Sequence, residues 1–254
     1  MSRRDRNPET LFAAALEGDR SSLARLLSMI EQGGDDARTV GRLSYPLGGH
    51  SYTVGLTGAP GAGKSTLTSS IIGHLRKMDL EVAVLAIDPS SPFTGGAILG
   101  DRVRMQDHAT DRGVFIRSMA TRGHLGGLSL AAPEAIRLLD AIGRLWVLVE
   151  TVGVGQVEVE IAGKADTTVV VVNPGWGDSV QANKAGLMEI ADVFVINKAD
   201  RKGVDETRRD LEQMLDLSDL PHEAWRPPIV PTIGSTGEGV PALWEVVQQH
   251  RAHI

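Results

Sequence analysis

The stretch GAPGAGKST, Gly58 to Thr66, decides the fold. It follows an apolar run, residues 52–56, and leads into a segment with helical apolar spacing from residue 63 to about 78. Gly58, Gly63, Lys64 and Ser65 satisfy G-x-x-x-x-G-K-[ST]. The chemistry requires this layout. Glycines let the backbone wrap closely around phosphate oxygens. The helix behind them offers unpaired N–H groups and a positive dipole end to the anion. The expected phosphate contacts are Gly58, Ala59, Pro60, Gly61, Ala62, Gly63, Lys64, Ser65 and Thr66. Lys64 is expected to reach the β and γ phosphates, and the Ser65 hydroxyl to bind Mg²⁺.

On either side of this loop, short apolar runs alternate with helical patterns. Strands are expected at residues 52–56, 82–87, 114–118, 145–150, 167–172, 193–197 and, weakly, 228–231. Helices are expected at 63–78, 128–142 (with Pro133 near its first turn), 178–189, 204–215 and 240–250, and a short one at 102–108. Such alternation predicts an α/β fold: a mainly parallel sheet with helices on both faces, a P-loop NTPase. Ligands then bind beyond the carboxyl ends of the strands. Ahead of this domain, residues 8–31 read as two short helices divided at Gly18-Asp19, and QGGDDARTVGRLSYPLGG, residues 32–49, as a connector. The expected organisation is an N-terminal helical extension over 1–45 and the nucleotide domain over 46–254.

Composition narrows the function. The chain has 254 residues, a net charge of -6 and no cysteine. Disulfides and thiolate metal sites are excluded, and a reducing cytoplasm is the expected location. An acidic chain is a poor match to nucleic-acid phosphates. No run of about 18 apolar residues suggests a membrane span. The basic start, MSRRDRNPETLFAAALEGD, lacks the apolar core of a secretory signal.

The base is read further along. A predicted strand runs into NKAD, Asn197 to Asp200. The Asp200 carboxylate can accept hydrogen bonds from guanine N1–H and the 2-amino group, and adenine offers neither. Lys198 can lay its aliphatic stem along the base. Asn197 completes the motif. IGSTGEG, Ile233 to Gly239, then stands where a loop with Ile233, Gly234 and Ser235 can present backbone N–H to the guanine oxygen.

Three carboxylates are candidates for the metal. Glu150 ends a predicted strand ahead of TVGVGQ. Asp88 ends another, expected next to the phosphate-loop strand. Asp101 lies beyond the Gly95-Gly96 pair in DPSSPFTGGAILGDRVRM. Mg²⁺ keeps several waters and takes one or two carboxylates, so Ser65, Asp88, Asp101 and Glu150 are the expected metal-facing set. Carboxylates on so glycine-rich a stretch suit a switch that orders with the γ-phosphate. Lys64, Asp88, Asp101 and Glu150 are the expected catalytic groups, with Asp88, Asp101 or Gln156 orienting the attacking water. Arg102, Arg104, Arg117 and Arg122 read as surface or partner-facing charges rather than arginine fingers.

Together GAPGAGKST, DPSSPFTGGAILGDRVRM, FIRSMATRGHLGGLS, ETVGVGQ, NPGWGDSVQANKAGLMEIAD and NKAD, in this order, resemble the MeaB/ArgK family of P-loop GTPases, in the branch of signal-recognition and metallochaperone GTPases. The resemblance spans nearly all of residues 8–252. It implies a GTPase, slow alone and stimulated by a partner, that binds GTP or GDP with Mg²⁺. It also implies a chaperone that gates adenosylcobalamin loading, protection and reactivation of methylmalonyl-CoA mutase. Residues 173–184 are then a further switch through which the mutase is sensed. Family members usually continue into a C-terminal helical arm used in homodimerisation, which this sequence is expected to lack. Trp146 stands where the family has a different approach to its acid, and needs room at the start of a strand. Two rivals share the phosphate loop: a nickel-type metal-insertion GTPase, for which His50, His74, His108, His124 and His222 are scattered, and a small-molecule kinase of the transport-kinase type. A scaffold that binds GTP without turnover is a third.

Overall fold

The computed structural model describes residues 7–88, 106–108, 110–120, 127–151, 165–175, 189–217 and 224–254. Seven strands form one sheet: β1 (Tyr52–Gly58), β2 (Val82–Asp88), β3 (Val114–Ala120), β4 (Trp146–Thr151), β5 (Thr167–Val172), β6 (Val193–Asn197) and β7 (Ile229–Thr232). Their order is β3-β2-β4-β1-β5-β6-β7, and every pairing is parallel. This is the predicted α/β architecture. In β1, β4, β5 and β6 every residue is buried. That explains why these strands read as continuous apolar runs rather than alternating ones.

Two apolar layers sandwich the sheet. On one face α4 (Lys64–Lys77) and α7 (Val240–His253) set Leu67, Ile71, Leu75, Leu243 and Val247 against Val54, Leu56 and Phe194. On the other, α5 (Gly127–Ala141) packs Ala135, Leu138 and Leu139 on Leu85, Val147 and Val149. The N-terminal helices α1 (Pro8–Leu16), α2 (Arg20–Gln32) and α3 (Gly34–Ser44) join this second layer through Leu11, Leu23, Leu26, Leu27 and Val40. The remaining helix, α6 (Val204–Asp216), adds Leu211 and Leu215 to the first layer.

Two local expectations are corrected. Residues 34–44, expected within a connector, form α3. Asp35 and Asp36 in its first turn complement the helix dipole, and Val40 and Ser44 are buried one turn apart. Gly33, at φ 73°, ends α2 and opens α3, so a glycine pair that resembles a loop is a helix junction. Pro133 lies well inside α5 rather than near its start. Of the short helix expected at 102–108, a 3₁₀ turn covers Gln106–His108. Residues 102–105 lie outside the described residues.

Trp146 finds its room at the amino end of the sheet. Its ring meets Tyr52 edge-on at 5.6 Å and Trp244 at 4.6 Å, and the Arg251 guanidinium lies 5.0 Å from its centroid. Beside this cluster Tyr52 Oη and Thr167 Oγ1 are 2.6 Å apart, and Thr167 Oγ1 and His250 Nδ1 2.8 Å. His250 Nε2 lies 3.4 Å from Asp192 Oδ1, and Asp192 also accepts from Thr168 N–H at 2.7 Å. Burial holds the His250 pKa below its ordinary value, with His253 adding repulsion while Asp192 and Asp166 pull the other way. Burial likewise raises Asp192.

The His250 shift has a defined sign. Unfolded, the histidine takes a proton near pH 6.5. Folded, it resists. Stability is therefore expected to fall as pH drops below about 6.5 toward the folded pKa. Asp192 acts oppositely at lower pH, since its raised folded pKa lets the native state bind a proton first. In urea unfolding at pH 7.5 and 5.5, His250→Gln is expected to lose less stability on acidification than the parent chain. An equal loss would refute the assignment.

Candidate nucleotide-binding site

The site lies at the carboxyl ends of β1, β4, β6 and β7. Gly58 (φ 134°), Gly61 (75°) and Gly63 (92°) hold backbone conformations that other residues rarely adopt. Gly63 caps α4, so Lys64 and Ser65 stand in the first helical turn. Lys64 Nζ donates to Gly58 O at 2.7 Å and Ala59 O at 3.2 Å, which curls the side chain over the loop it is expected to serve.

Glu150 pairs in register with Leu56 of β1 and Ala86 of β2. It is 1% exposed, and its Oε1 accepts from Ser65 Oγ at 2.5 Å. The predicted hydroxyl and the predicted acid are thus in contact beneath the phosphate loop. Two hard oxygen donors at this point fit Mg²⁺, which draws its other ligands from water and phosphate. Among the described residues no three His, Cys, Asp or Glu side chains cluster to hold a metal.

Asp88 is the last residue of β2. Its strand was expected beside the phosphate-loop strand. Instead β4 lies between β1 and β2, so Asp88 neighbours the strand of Glu150. Apolar runs predict strands but carry no information on their lateral order. Asp101, Gln156, Arg102, Arg104, Arg122, His124, His222 and residues 176–184 lie outside the described residues. Arg117 is engaged elsewhere: it pairs with Glu31 and donates to Ser28 Oγ at 2.9 Å, fastening β3 to α2.

Above the loop a cavity of about 220 Å³ is lined by Gly63, Thr66, Asn197, Lys198, Asp200, Arg201, Ile233, Gly234 and Ser235. The NKAD segment and the IGSTGEG loop therefore converge where a base is expected. Asn197 has a brace's geometry. Its Nδ2 donates to Ala62 O at 2.9 Å, and its Oδ1 accepts from Thr232 Oγ1 at 3.1 Å and Gly234 N–H at 2.9 Å. It ties the phosphate loop to the base loop. Lys198, at φ 60°, reaches back to Gly61 O at 2.5 Å. Asp200 is exposed at the rim, where its carboxylate is open to a ligand. Arg201 and Thr232 were missed from sequence. The available signal was adjacency, because Thr232 ends β7 in register with Asn197. Ser70, which donates from α4 to Gly234 O at 2.6 Å, was missed as well.

A larger cavity of about 610 Å³ lies away from these loops, bounded by Tyr45, Arg137, Asp140 and Asp166. Its Asp140 carboxylate already accepts from the N–H groups of Gly49, His50 and Ser51.

Comparison with known proteins agrees with the fold. The family profile described as methylmalonyl Co-A mutase-associated GTPase MeaB matches residues 23–254. The GTPase ArgK of Escherichia coli is 38% identical over 238 residues, covering 91% of this chain and 72% of its own. The mouse mitochondrial methylmalonic aciduria type A homolog is 33% identical over 261 residues, covering 95% of this chain and 62% of its own. Among solved structures, a LAO/AO transport system kinase superposes with a TM-score of 0.80 at 27% identity, covering 100% of this chain and 78% of that one.

Proposed function

The chain belongs to the MeaB family of methylmalonyl-CoA mutase-associated GTPases, and on that premise we propose that it is a GTP-driven chaperone of an adenosylcobalamin-dependent acyl-CoA mutase. It is a GTPase, hydrolysing GTP to GDP and phosphate. In the proposed reaction the phosphate-loop N–H groups and Lys64 bind the β and γ phosphates, while Ser65 and Glu150 would hold Mg²⁺, directly or through its waters. Bound there, the ion would neutralise charge on the phosphate oxygens. Lys64 then exchanges its carbonyl partners for phosphate oxygens. Asp88 and Asp101 are proposed to orient the attacking water or complete the metal's surroundings. Asp200 reads guanine, with the Lys198 stem beside the base.

The observation that carries this reading is the Asn197 brace. It makes the phosphate loop and the base loop one unit, with the Ser65–Glu150 pair at one end and the Asp200 rim at the other. The absence of cysteine removes the thiolates on which a metal-delivery reading would most readily rest. Protection, cofactor gating and reactivation of the mutase are proposed from family membership.

Turnover of GTP, with ATP as control, tests the proposal in the presence and absence of the host's cobalamin-dependent methylmalonyl-CoA mutase. The expected result is slow hydrolysis of GTP alone that rises when the mutase is added, with ATP untouched. GTP turnover that ignores the mutase would overturn the chaperone role while leaving the GTPase intact.

A further inference from the structure

The base loop is fastened to the phosphate-loop helix by a serine outside every motif read from the sequence. Ser70 lies in α4, about 1.4 turns past Ser65 at 3.6 residues per turn. Its hydroxyl donates to Gly234 O at 2.6 Å. The N–H of the same glycine is committed to Asn197 Oδ1 at 2.9 Å. Gly234 is buried, and a Cβ built on it would come within 3.2 Å of both Asn197 Oδ1 and Leu67 N. The loop therefore sits directly on α4 at this point.

Peptide geometry turns this bond into a directional constraint. The described residues contain no cis peptide bond. In a planar trans peptide the C=O of one residue and the N–H of the next point in opposite directions. With Gly234 C=O drawn toward α4, the N–H of Ser235 is aimed away from the helix. Gly234 and Ser235 both line the cavity bounded by Lys198 and Asp200. Among the described residues no backbone hydrogen bond is made by the Ser235 N–H.

We propose that Ser70 is a positioning residue for base recognition, fixing the Gly234–Ser235 peptide so that the Ser235 N–H points at the 6-oxo oxygen of guanine. The inference rests on the guanine reading of this cavity. It adds a specificity element that touches no ligand itself. Asp200 reads the N1–H and 2-amino group, and Ser70 governs the neighbouring 6-oxo position of the same base edge through one peptide unit.

The two contacts can be separated chemically. GDP and 6-thio-GDP share the N1–H and 2-amino groups and differ in the acceptor at position 6, where sulfur accepts a hydrogen bond poorly. Equilibrium titration of the intact chain with both ligands, and with ADP as a reference, reads the effect. The parent chain is expected to prefer GDP to 6-thio-GDP. In Ser70→Ala, GDP affinity is expected to fall about three- to tenfold, the range of one neutral hydrogen bond. Binding of 6-thio-GDP is expected to change little, so the preference shrinks toward unity. Ser70→Thr, which retains the hydroxyl, is expected to restore the preference.

Equal weakening of GDP and 6-thio-GDP in Ser70→Ala would overturn the proposal, because it would mark Ser70 as a general support of α4. An unchanged GDP affinity would overturn it too. Should the parent chain fail to prefer GDP over ADP, the guanine reading itself falls. That outcome is distinct from loss of the Ser70 role alone.

Discussion

Asp200→Asn is expected to reverse the base preference of the site. The carboxylate presents two acceptors toward two guanine donors, N1–H and the 2-amino group. An amide presents one acceptor and one donor, so its NH₂ meets the 2-amino group donor to donor. A site built to satisfy polar groups discriminates strongly once one is left unpaired. GTP affinity is expected to fall by about a hundredfold or more. Xanthine carries an oxygen in place of the 2-amino group, so its N1–H and 2-oxo group match an amide. The variant is expected to gain XTP binding and XTPase activity as it loses GTP. Competition between the two nucleotides, with hydrolysis of each, measures the exchange. The fold should be unaffected, because Asp200 is exposed at the rim of the cavity. GTP binding that survives the change undiminished would show that the base is read elsewhere.

The second large effect acts through the backbone. Gly58 has φ 134°, and a Cβ placed there would lie 2.0 Å from Val171 O and 2.8 Å from Val171 C. Both obstructing atoms are main chain, in the residue paired with Gly58 across the β1–β5 ladder. No side chain can swing away, so relief requires the two strands to part at the base of the phosphate loop. Gly58→Ala is expected to cost about 4 kcal/mol or more. That is a large share of the 5–15 kcal/mol typical of a whole domain. A fall in yield and a strongly lowered Tm are the expected readouts. Gly18→Ala is the control: its φ is also positive, at 93°, but no atom lies within 4 Å of the added Cβ. Equal Tm values for the two variants would remove the collision as the reason for glycine at 58.

Much of this architecture was legible because its strands are buried on both sides. Val169 to Val172 and Val193 to Ile196 are fully buried, and such runs have few other readings. The phosphate loop was legible for a different reason. Its glycine spacing is set by the anion, and chain and ligand impose the same pattern. Glu150 stood out because a carboxylate follows an apolar run directly, and the fold brings it onto Ser65. Illegible were features that depend on how distant segments meet. Helix α3 was hidden by a glycine pair that favours a turn equally well. The place of β4 between β1 and β2 leaves no trace in either strand's composition. Asn197 belongs to a recognisable motif, yet its bracing role depends on Ala62, Thr232 and Gly234, which only the folded chain gathers. Ser70 is one of several small polar residues on α4, and its importance comes from the carbonyl above it.

The run of α7 gives the molecule a practical polarity. This helix starts just past the base loop and descends antiparallel to the strands to the cluster of Tyr52, Trp146 and Trp244. Its 14 residues cover about 20 Å at 1.5 Å per residue. Gln249, exposed near the carboxyl end of this helix, therefore lies at the opposite end of the strands from the nucleotide loops. A biotin or fluorescent dye attached there would serve as a remote handle. Immobilised by it, the chain would present its nucleotide face outward to a partner in solution.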